Sequence, residues 1–391
     1  MRLATYNVEN LFARARALDP VDPAKGQPAL SAYEEFNRIA AHPVYSDEDK
    51  ATMLAALETL RVFVRTPAGR RANPDLFGDA FAVLRENKGD FLAVPADAEP
   101  RIVATGRASW NGWVDLIVDP VDELSTRMTA RVVADVGADV LCVVEAESRP
   151  SLVKFNDELL GRRYDHAMLV DGNDPRGIDV GLFCVAGIEI DWVRSHVDVP
   201  DPLIDGKRLF SRDCPVYRLL LPGGAELYMV LNHLKSQSFT SGDPDPLRTR
   251  QATEVRAVYD RLRAAGAEFV AVVGDFNKRP DHPSLRPLLG PDSPLVDAYS
   301  LDAFSGLFDP LDHDRERPGS FQSCTIGNRL DYILLSPELA GRVTDGGVFR
   351  RGLWGTPSNV RRPKLWDAYP EITSARHAAS DHGAVWVEVD L

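Results

Sequence analysis

Short apolar runs that stop abruptly at polar side chains recur along the chain. Glu268-Phe269-Val270-Ala271-Val272-Val273 ends at Gly274-Asp275-Phe276-Asn277, and Leu3-Ala4-Thr5-Tyr6 runs into Asn7-Val8-Glu9-Asn10-Leu11-Phe12. Asp139-Val140-Leu141-Cys142-Val143-Val144 ends at Glu145, and Leu227-Tyr228-Met229-Val230-Leu231 ends at Asn232-His233-Leu234-Lys235-Ser236. Runs of this length predict buried strands, and a polar side chain at a strand exit sits where the sheet opens to solvent. Gly177–Phe183 and Val216–Leu221 predict two more strands, the second preceded by Arg212. In Arg329-Leu330-Asp331-Tyr332-Ile333-Leu334-Leu335-Ser336 and Ser380-Asp381-His382-Gly383 to Val389 the polar group leads into the strand. An antiparallel neighbour needs that order if its start is to meet the other strands' ends. Residues two apart share one face of a strand, which pairs Asn7 with Glu9, His233 with Lys235, and Asp275 with Asn277. Each exit alone reads equally well as a strand followed by a turn; it is the repetition that favours a site.

Helical spacing appears between these runs. Leu124–Val136 places Met128, Val132, Val133 and Val136 on one face and closes at Gly137. Arg250–Arg263 does the same with Val255, Val258, Tyr259 and Leu262. Residues 13–121 form a mostly helical insertion after the first strand. Ser46 caps a helix with Asp47, Glu48 and Asp49 in its first turn and Met53, Leu57, Leu60 and Val64 inward. A second helix is predicted over Asp75–Arg85, with Leu76, Phe77, Ala80, Phe81 and Leu84 inward. Asn111-Gly112, between Trp110 and Trp113, predicts the turn of a hairpin formed by Arg101–Ala104 and Val114–Ile117. No chemistry is evident there, so its aromatic residues read as packing. The expected organisation is one catalytic domain over residues 1–391 carrying this inserted subdomain.

The 391 residues suffice for a large core, and the net charge of −13 repels polyanions over most of the surface, so such a substrate must meet a local basic patch or a metal. One basic stretch exists: Arg350, Arg351, Trp354, Arg361, Arg362, Lys364 and Trp366 could rim a substrate site, or could be a solvated loop whose tryptophans pack down. Cys142, Cys184, Cys214 and Cys324 show no paired spacing and suit buried free thiols in a reducing compartment. No run approaches the ~18 apolar residues of a membrane span. The start of the chain has no basic-then-apolar leader, so a soluble cytoplasmic protein without membrane insertion is expected.

Glu9, Glu145, Asp275 and Asp381, with Asn7 and Asn277, are hard oxygen donors of the kind that hold Mg²⁺ or Mn²⁺, and no Cys/His spacing suggests zinc. Glu145 alone could be a solvated strand end or a cap, but its likeness to the Asp275 exit favours a ligand. His233 and His382 supply proton transfer near neutral pH, and Asp331 can orient one of them. The set suits hydrolysis of a phosphate ester by a metal, an activated water and a proton donor.

Six of these segments, at Asn7–Phe12, Leu141–Glu145, Asn232–Ser236, Gly274–Asn277, Arg329–Tyr332 and Ser380–His382, occur in the order seen in the endonuclease/exonuclease/phosphatase superfamily. The chain resembles that superfamily, which is similar to deoxyribonuclease I and the abasic-site endonucleases, over residues 1–12 and roughly 122–391. The resemblance implies an α/β fold of two packed mixed β-sheets flanked by helices, a four-layer sandwich with the site at one sheet edge. It implies Glu145 as chief metal ligand with Glu9 and Asp381, Asn7 holding the ligand shell or a phosphate oxygen, and Asp275 and Asn277 positioning water and phosphate. Asp331–His382 and His233 would contact phosphate or transfer protons, with acid and base unassigned, and Arg212 and Lys235 are candidates for phosphate binding. Glu9 stands where many such nucleases carry Asp, and the insertion follows a site strand directly. The function expected is Mg²⁺- or Mn²⁺-dependent phosphodiester hydrolysis, with nucleic acid as substrate. The alternative is a small-molecule or lipid-headgroup phosphate ester, and a non-catalytic module is disfavoured because no ligand or histidine is missing. Oligomeric state is not legible.

Overall fold

The computed structural model describes residues 1–9, 11–18, 23–66, 69–71, 80–95, 99–120, 122–174, 176–237, 243–304, 318–355 and 366–391. They fall into two compact units, one of Met1–Phe12, Val121–Gln237 and Asp243–Leu391, the other of Ala13–Pro120.

The first unit holds two six-stranded mixed sheets. Its strands are β1 (Arg2–Asn7), β2 (Val140–Ala146), β3 (His166–Leu169), β4 (Asp179–Cys184), β5 (Glu189–Arg194), β6 (Val216–Leu220), β7 (Glu226–His233), β8 (Phe269–Asp275), β9 (Val296–Asp297), β10 (Asp331–Leu335), β11 (Val343–Phe349) and β12 (Ala384–Val389). One sheet runs β3-β4-β2-β1-β12-β11 and the other β5-β6-β7-β8-β10-β9. In each, one central pair is parallel, β1 with β2 and β7 with β8, while the remaining pairs are antiparallel.

Alternate residues of the central strands face opposite ways, and both faces are covered. Cys142 and Val144 of β2 pack between the sheets in one cluster with Met229 and Leu231 of β7 and Val273 of β8. Leu141 and Val143 face outward onto helices α1 (Glu123–Val136) and α2 (Arg149–Leu159). Helix α3 (Asp245–Ala264) covers the other sheet through Val255, Val258 and Tyr259. The result is the α/β/β/α layering expected. Burial on two faces explains why these strands read as unbroken apolar runs. All four cysteines are free and buried.

The Ala13–Pro120 unit has its own core, in which Phe36, Met53, Leu57, Phe91 and Trp110 pack together. The Asp47–Thr59 helix begins at Ser46 as expected, with a capping box in which Asp49 N donates to Ser46 Oγ (3.0 Å) and Ser46 N donates to Asp49 Oδ2 (2.9 Å). Four expectations fail among the described residues. The described residues of the unit mix helix and strand instead of being mostly helical: besides helices over Pro23–Ala40, which its internal Pro28 hides from sequence reading, and Asp47–Thr59, they form two-stranded ribbons. Val64 lies in one of these ribbons. The helix expected over Asp75–Arg85 is absent where it can be seen, because Ala82–Lys88 is a strand paired with Asn111–Leu116; residues 75–79 lie outside the described set. Cross-strand pairing here overrides a weak helical pattern. Asn111-Gly112 is therefore not a turn. A side chain at Gly112 would lie 2.1 Å from the Arg85 carbonyl oxygen, so glycine permits close strand approach.

Candidate active site

The parallel pairs bring four strand exits to one edge. Asn7 ends β1 opposite Val144, one residue before Glu145, and His233 ends β7 opposite Asp275 at the end of β8. Antiparallel β10 begins opposite that carboxylate, at Asp331, and the Ser380–His382 segment leads into β12 beside β1. Backbone geometry is unusual at this edge: Glu9, Glu145 and Asn277 have φ of 51°, 66° and 55°, and the β2 ladder shifts register between Val144 and Ala146. A bulge of this kind re-aims a side chain, and left-handed non-glycine residues gather at functional sites.

Asp275 is the hub. Its Oδ1 accepts the Asn277 N–H at 2.7 Å, and its Oδ2 accepts the side-chain amides of Asn277 (3.2 Å) and Asn7 (3.3 Å). The same Oδ2 lies 3.8 Å from His233 Nε2 and 3.9 Å from His382 Nε2. Burial, followed by the Asp331 charge, pushes the Asp275 carboxyl up to about 7. His382 Nδ1 meets Asp331 Oδ2 at 2.7 Å, and since a carboxylate only accepts, Nδ1 carries the proton. Burial disfavours charge on His382, but Asp331's charge and hydrogen bond outweigh it and hold the ring well above its ordinary pKa. His233 is the opposite case: burial, then the Arg212 and Arg176 charges, push it well below.

Asp275, Asp331 and His382 offer ligand atoms within 4.8 Å of one another. The hydrogen bond commits Nδ1 and Oδ2 to each other, so this trio is better described as a His–Asp dyad beside a carboxylate than as a ligand set. Glu145, Glu9 and Asp381 are more open. Glu145 Oε1 stands 3.7 Å from His233 Nε2, with 20% of its side chain exposed, and Glu9 Oε2 accepts the Asp381 N–H at 3.0 Å. Partly exposed, oxygen-only donors fit a hard divalent cation that keeps some of its water.

Arg212 is sealed in: its Nε lies 3.0 Å from Asp174 Oδ2 and only 3% of its side chain is exposed. Lys235 lies just past β7, its N–H bound to Gln251 Oε1 at 2.8 Å. Of the basic, tryptophan-bearing stretch, Arg350 and Trp366 are buried and donate to the carbonyls of Gly319 and Leu353, so these two pack down instead of rimming a groove. Arg361, Arg362 and Lys364, like Asn10 in the first strand's exit, lie outside the described residues. Sequence reading missed Ser320, whose hydroxyl donates to Asp331 Oδ2, and Ser380, which donates to the Asn7 carbonyl at 2.7 Å and accepts the His382 N–H at 3.0 Å. It also missed Asp174. Nothing local marks Ser320 or Asp174, although Ser380 lies within a motif already singled out, where it is given no role.

The model of the Endonuclease/Exonuclease/phosphatase family matches residues 108–382. No curated protein sequence matches the chain significantly. Among solved structures, the chain is similar to the mannosyl-6-phosphatase Bt3783 of Bacteroides thetaiotaomicron VPI-5482, at 19% identity and a TM-score of 0.49, over 68% of this chain and 92% of that one. It is similar to the human Nocturnin catalytic domain with bound sulfate, at 14% and 0.47 over 68% and 86%. Truncated Caenorhabditis elegans TDP2 follows at 18% and 0.42 over 68% and 90%. Such distant likenesses carry no argument about substrate.

Proposed function

The chain belongs to the endonuclease/exonuclease/phosphatase family and is a phosphoester hydrolase, and we propose that it is a divalent-metal-dependent phosphodiesterase acting on nucleic acid. The observation that carries this reading is the charge balance at the edge. Asp275, Asp331 and Asp381 face the cationic ring of His382, Glu145 stands beside His233 and Glu9 accepts the Asp381 N–H, while the two guanidiniums of Arg176 and Arg212 on Asp174 add only one net positive charge. A dianionic monoester is hard to neutralise among so many carboxylates; a diester carries a single charge.

In this reading Glu145, Glu9 and Asp381 hold Mg²⁺ or Mn²⁺, which when bound neutralises phosphoryl oxygens and polarises the ester. Asp275, near 7, takes a proton from the attacking water, its carboxylate fixed by Asn7 and Asn277. His382, kept charged by Asp331, gives its Nε2 proton to the leaving oxygen. His233, neutral with its proton on Nε2, would donate that N–H to a phosphate oxygen. The test is incubation with single- and double-stranded DNA and RNA in Mg²⁺ or Mn²⁺ and again in EDTA, with metal-dependent cleavage expected. No cleavage of any polynucleotide sinks the nucleic-acid assignment.

The packing-down of Arg350 and Trp366 favours a second reading, a small-molecule or lipid-headgroup phosphate ester, since it removes two members of the basic stretch from any polymer-binding rim. A panel of phosphorylated metabolites separates the two, and the second fails if only polynucleotides turn over.

A further inference from the structure

The loop before β4 carries a charged cluster that the catalytic scheme leaves unused. Arg176 makes a two-point contact with Asp174, Nε to Oδ1 at 3.0 Å and Nη2 to Oδ2 at 2.8 Å. Asp174 Oδ2 is also the atom 3.0 Å from Arg212 Nε, so two guanidiniums share one carboxylate. The trio carries a net positive charge in a strongly acidic protein. Its solvent access is graded: 4% of Asp174's side chain is exposed, 3% of Arg212's and 19% of Arg176's.

Pairing registers place the cluster at the catalytic edge. Asp179, which opens β4, pairs with Ala146, the residue after Glu145. Cys214, two residues after Arg212, contacts Asn232, the neighbour of His233, through a 3.3 Å bond from its thiol. The two segments are tied together, because Asn173 N donates to the Ser211 carbonyl at 2.6 Å and Asn173 Nδ2 to the Phe210 carbonyl at 3.0 Å. A side chain at Gly172 would lie 2.9 Å from Arg212 Cα, so glycine lets the loop seat against Arg212. The two segments of the cluster are thus anchored beside the exits of the two sheets, the Asp174 loop through the Gly172 N–H on Asp179 Oδ1 at 2.8 Å next to Ala146, and the Arg212 segment through Cys214 next to His233. The influence of both arginines on the His233 ring agrees with that position.

We propose that Arg176 binds a non-bridging oxygen of the substrate phosphate, with Asp174 as the positioning residue that aims it and Arg212 as the buried charge that keeps Asp174 ionised. Arg212 suits that supporting role better than direct contact, because it is the less exposed of the two. Asp174 accordingly lies well below the ordinary carboxylate range: burial opposes its charge, and Arg212 and Arg176 more than restore it. A fork-shaped guanidinium held by a fixed carboxylate is pre-organised for a phosphate.

This inference rests on the phosphoester-hydrolase reading, so its test needs a readout independent of turnover. The full chain, as wild type, Arg176→Gln and Arg176→Lys, is compared with bis(p-nitrophenyl) phosphate as substrate in Mn²⁺ and with inorganic phosphate as calorimetric ligand, after circular dichroism shows each folded. Arg176→Gln is expected to raise KM about 10- to 100-fold, more than it lowers kcat, as befits loss of a charge-assisted hydrogen bond. It should weaken phosphate binding in parallel, and Arg176→Lys should fall between. Asp174→Asn should raise KM in wild type but add little in the Arg176→Gln background, since neighbours acting as one unit are not additive. Phosphate binding that is lost in Arg176→Gln, in a wild type without turnover, would support the subsite and defeat the catalytic reading alone. Equal KM and equal phosphate affinity in wild type and folded Arg176→Gln, or no phosphate binding by wild type, would overturn the proposal.

Discussion

Two histidines of one edge are driven in opposite directions, and the consequence is measurable in stability. His233 is pushed below its ordinary value of 6.5, chiefly by burial. Between its folded pKa and 6.5 the unfolded chain binds the extra proton, so stability rises with pH across that window. His382 is held above 6.5 by Asp331, against the opposing effect of burial. Its contribution is fully present below 6.5 and is lost as pH rises through the folded pKa. The pair therefore favours a stability maximum near 6.5 in metal-free protein. Urea midpoints across pH should rise less steeply toward 6.5 in His233→Gln and fall less steeply above it in His382→Gln; slopes unchanged in both variants would show that neither ring is perturbed as described. The Asp331 charge also bears on turnover. Asp331→Asn removes the partner that keeps His382 protonated, so kcat should fall about 10²-fold or more and the alkaline limb of the rate profile should move to lower pH. An unshifted limb would remove His382 from the proton-donating role.

At the scale of elements, β8 fixes the site through one glycine. Gly274 has φ +131°, and a side chain there would meet the Asn232 carbonyl oxygen at 1.9 Å. Gly274→Ala must move β8 away from β7, separating Asp275 from His233, at a cost of at least about 2 kcal/mol from strain and overpacking together. A melting temperature within a degree of wild type would show that the ladder gives way easily. This glycine was visible in the sequence only as part of a strand exit. Strands buried on both faces were legible because two helical layers impose unbroken apolar runs, and the site was legible because the parallel pairs gather their exits at one edge. Short or edge strands such as β9 and β5 escaped: two residues carry no period, and Glu189–Arg194 reads half polar because it is only half buried. Asp174 and Ser320 escaped for another reason. Their roles depend on Arg212 and Asp331, which only tertiary packing brings within reach, and an isolated Asp or Ser between strands looks like a turn residue.

On the scale of the whole molecule, the Ala13–Pro120 unit inserts between β1 and α1 without contributing to the core shared by the two sheets. Its first and last strands pair, Ala13 with Pro120 and Ala15 with Val118, so the chain leaves and re-enters it at neighbouring points. Partners in an antiparallel ladder lie about 5 Å apart, a gap that two or three residues span. Replacing residues 13–120 by a short Gly-Ser linker should thus leave β1 in register with β2 and β12, and the remaining chain should fold with a single cooperative melt. The unit's own core of Phe36, Met53, Leu57, Phe91 and Trp110 likewise gives it what an independent fold requires. Because every candidate site residue lies outside residues 13–120, the shortened protein should keep its rate on bis(p-nitrophenyl) phosphate. A shortened protein that folds yet loses the small substrate would instead make residues 13–120 part of the catalytic unit, and one that does not fold would make the two units a single cooperative structure.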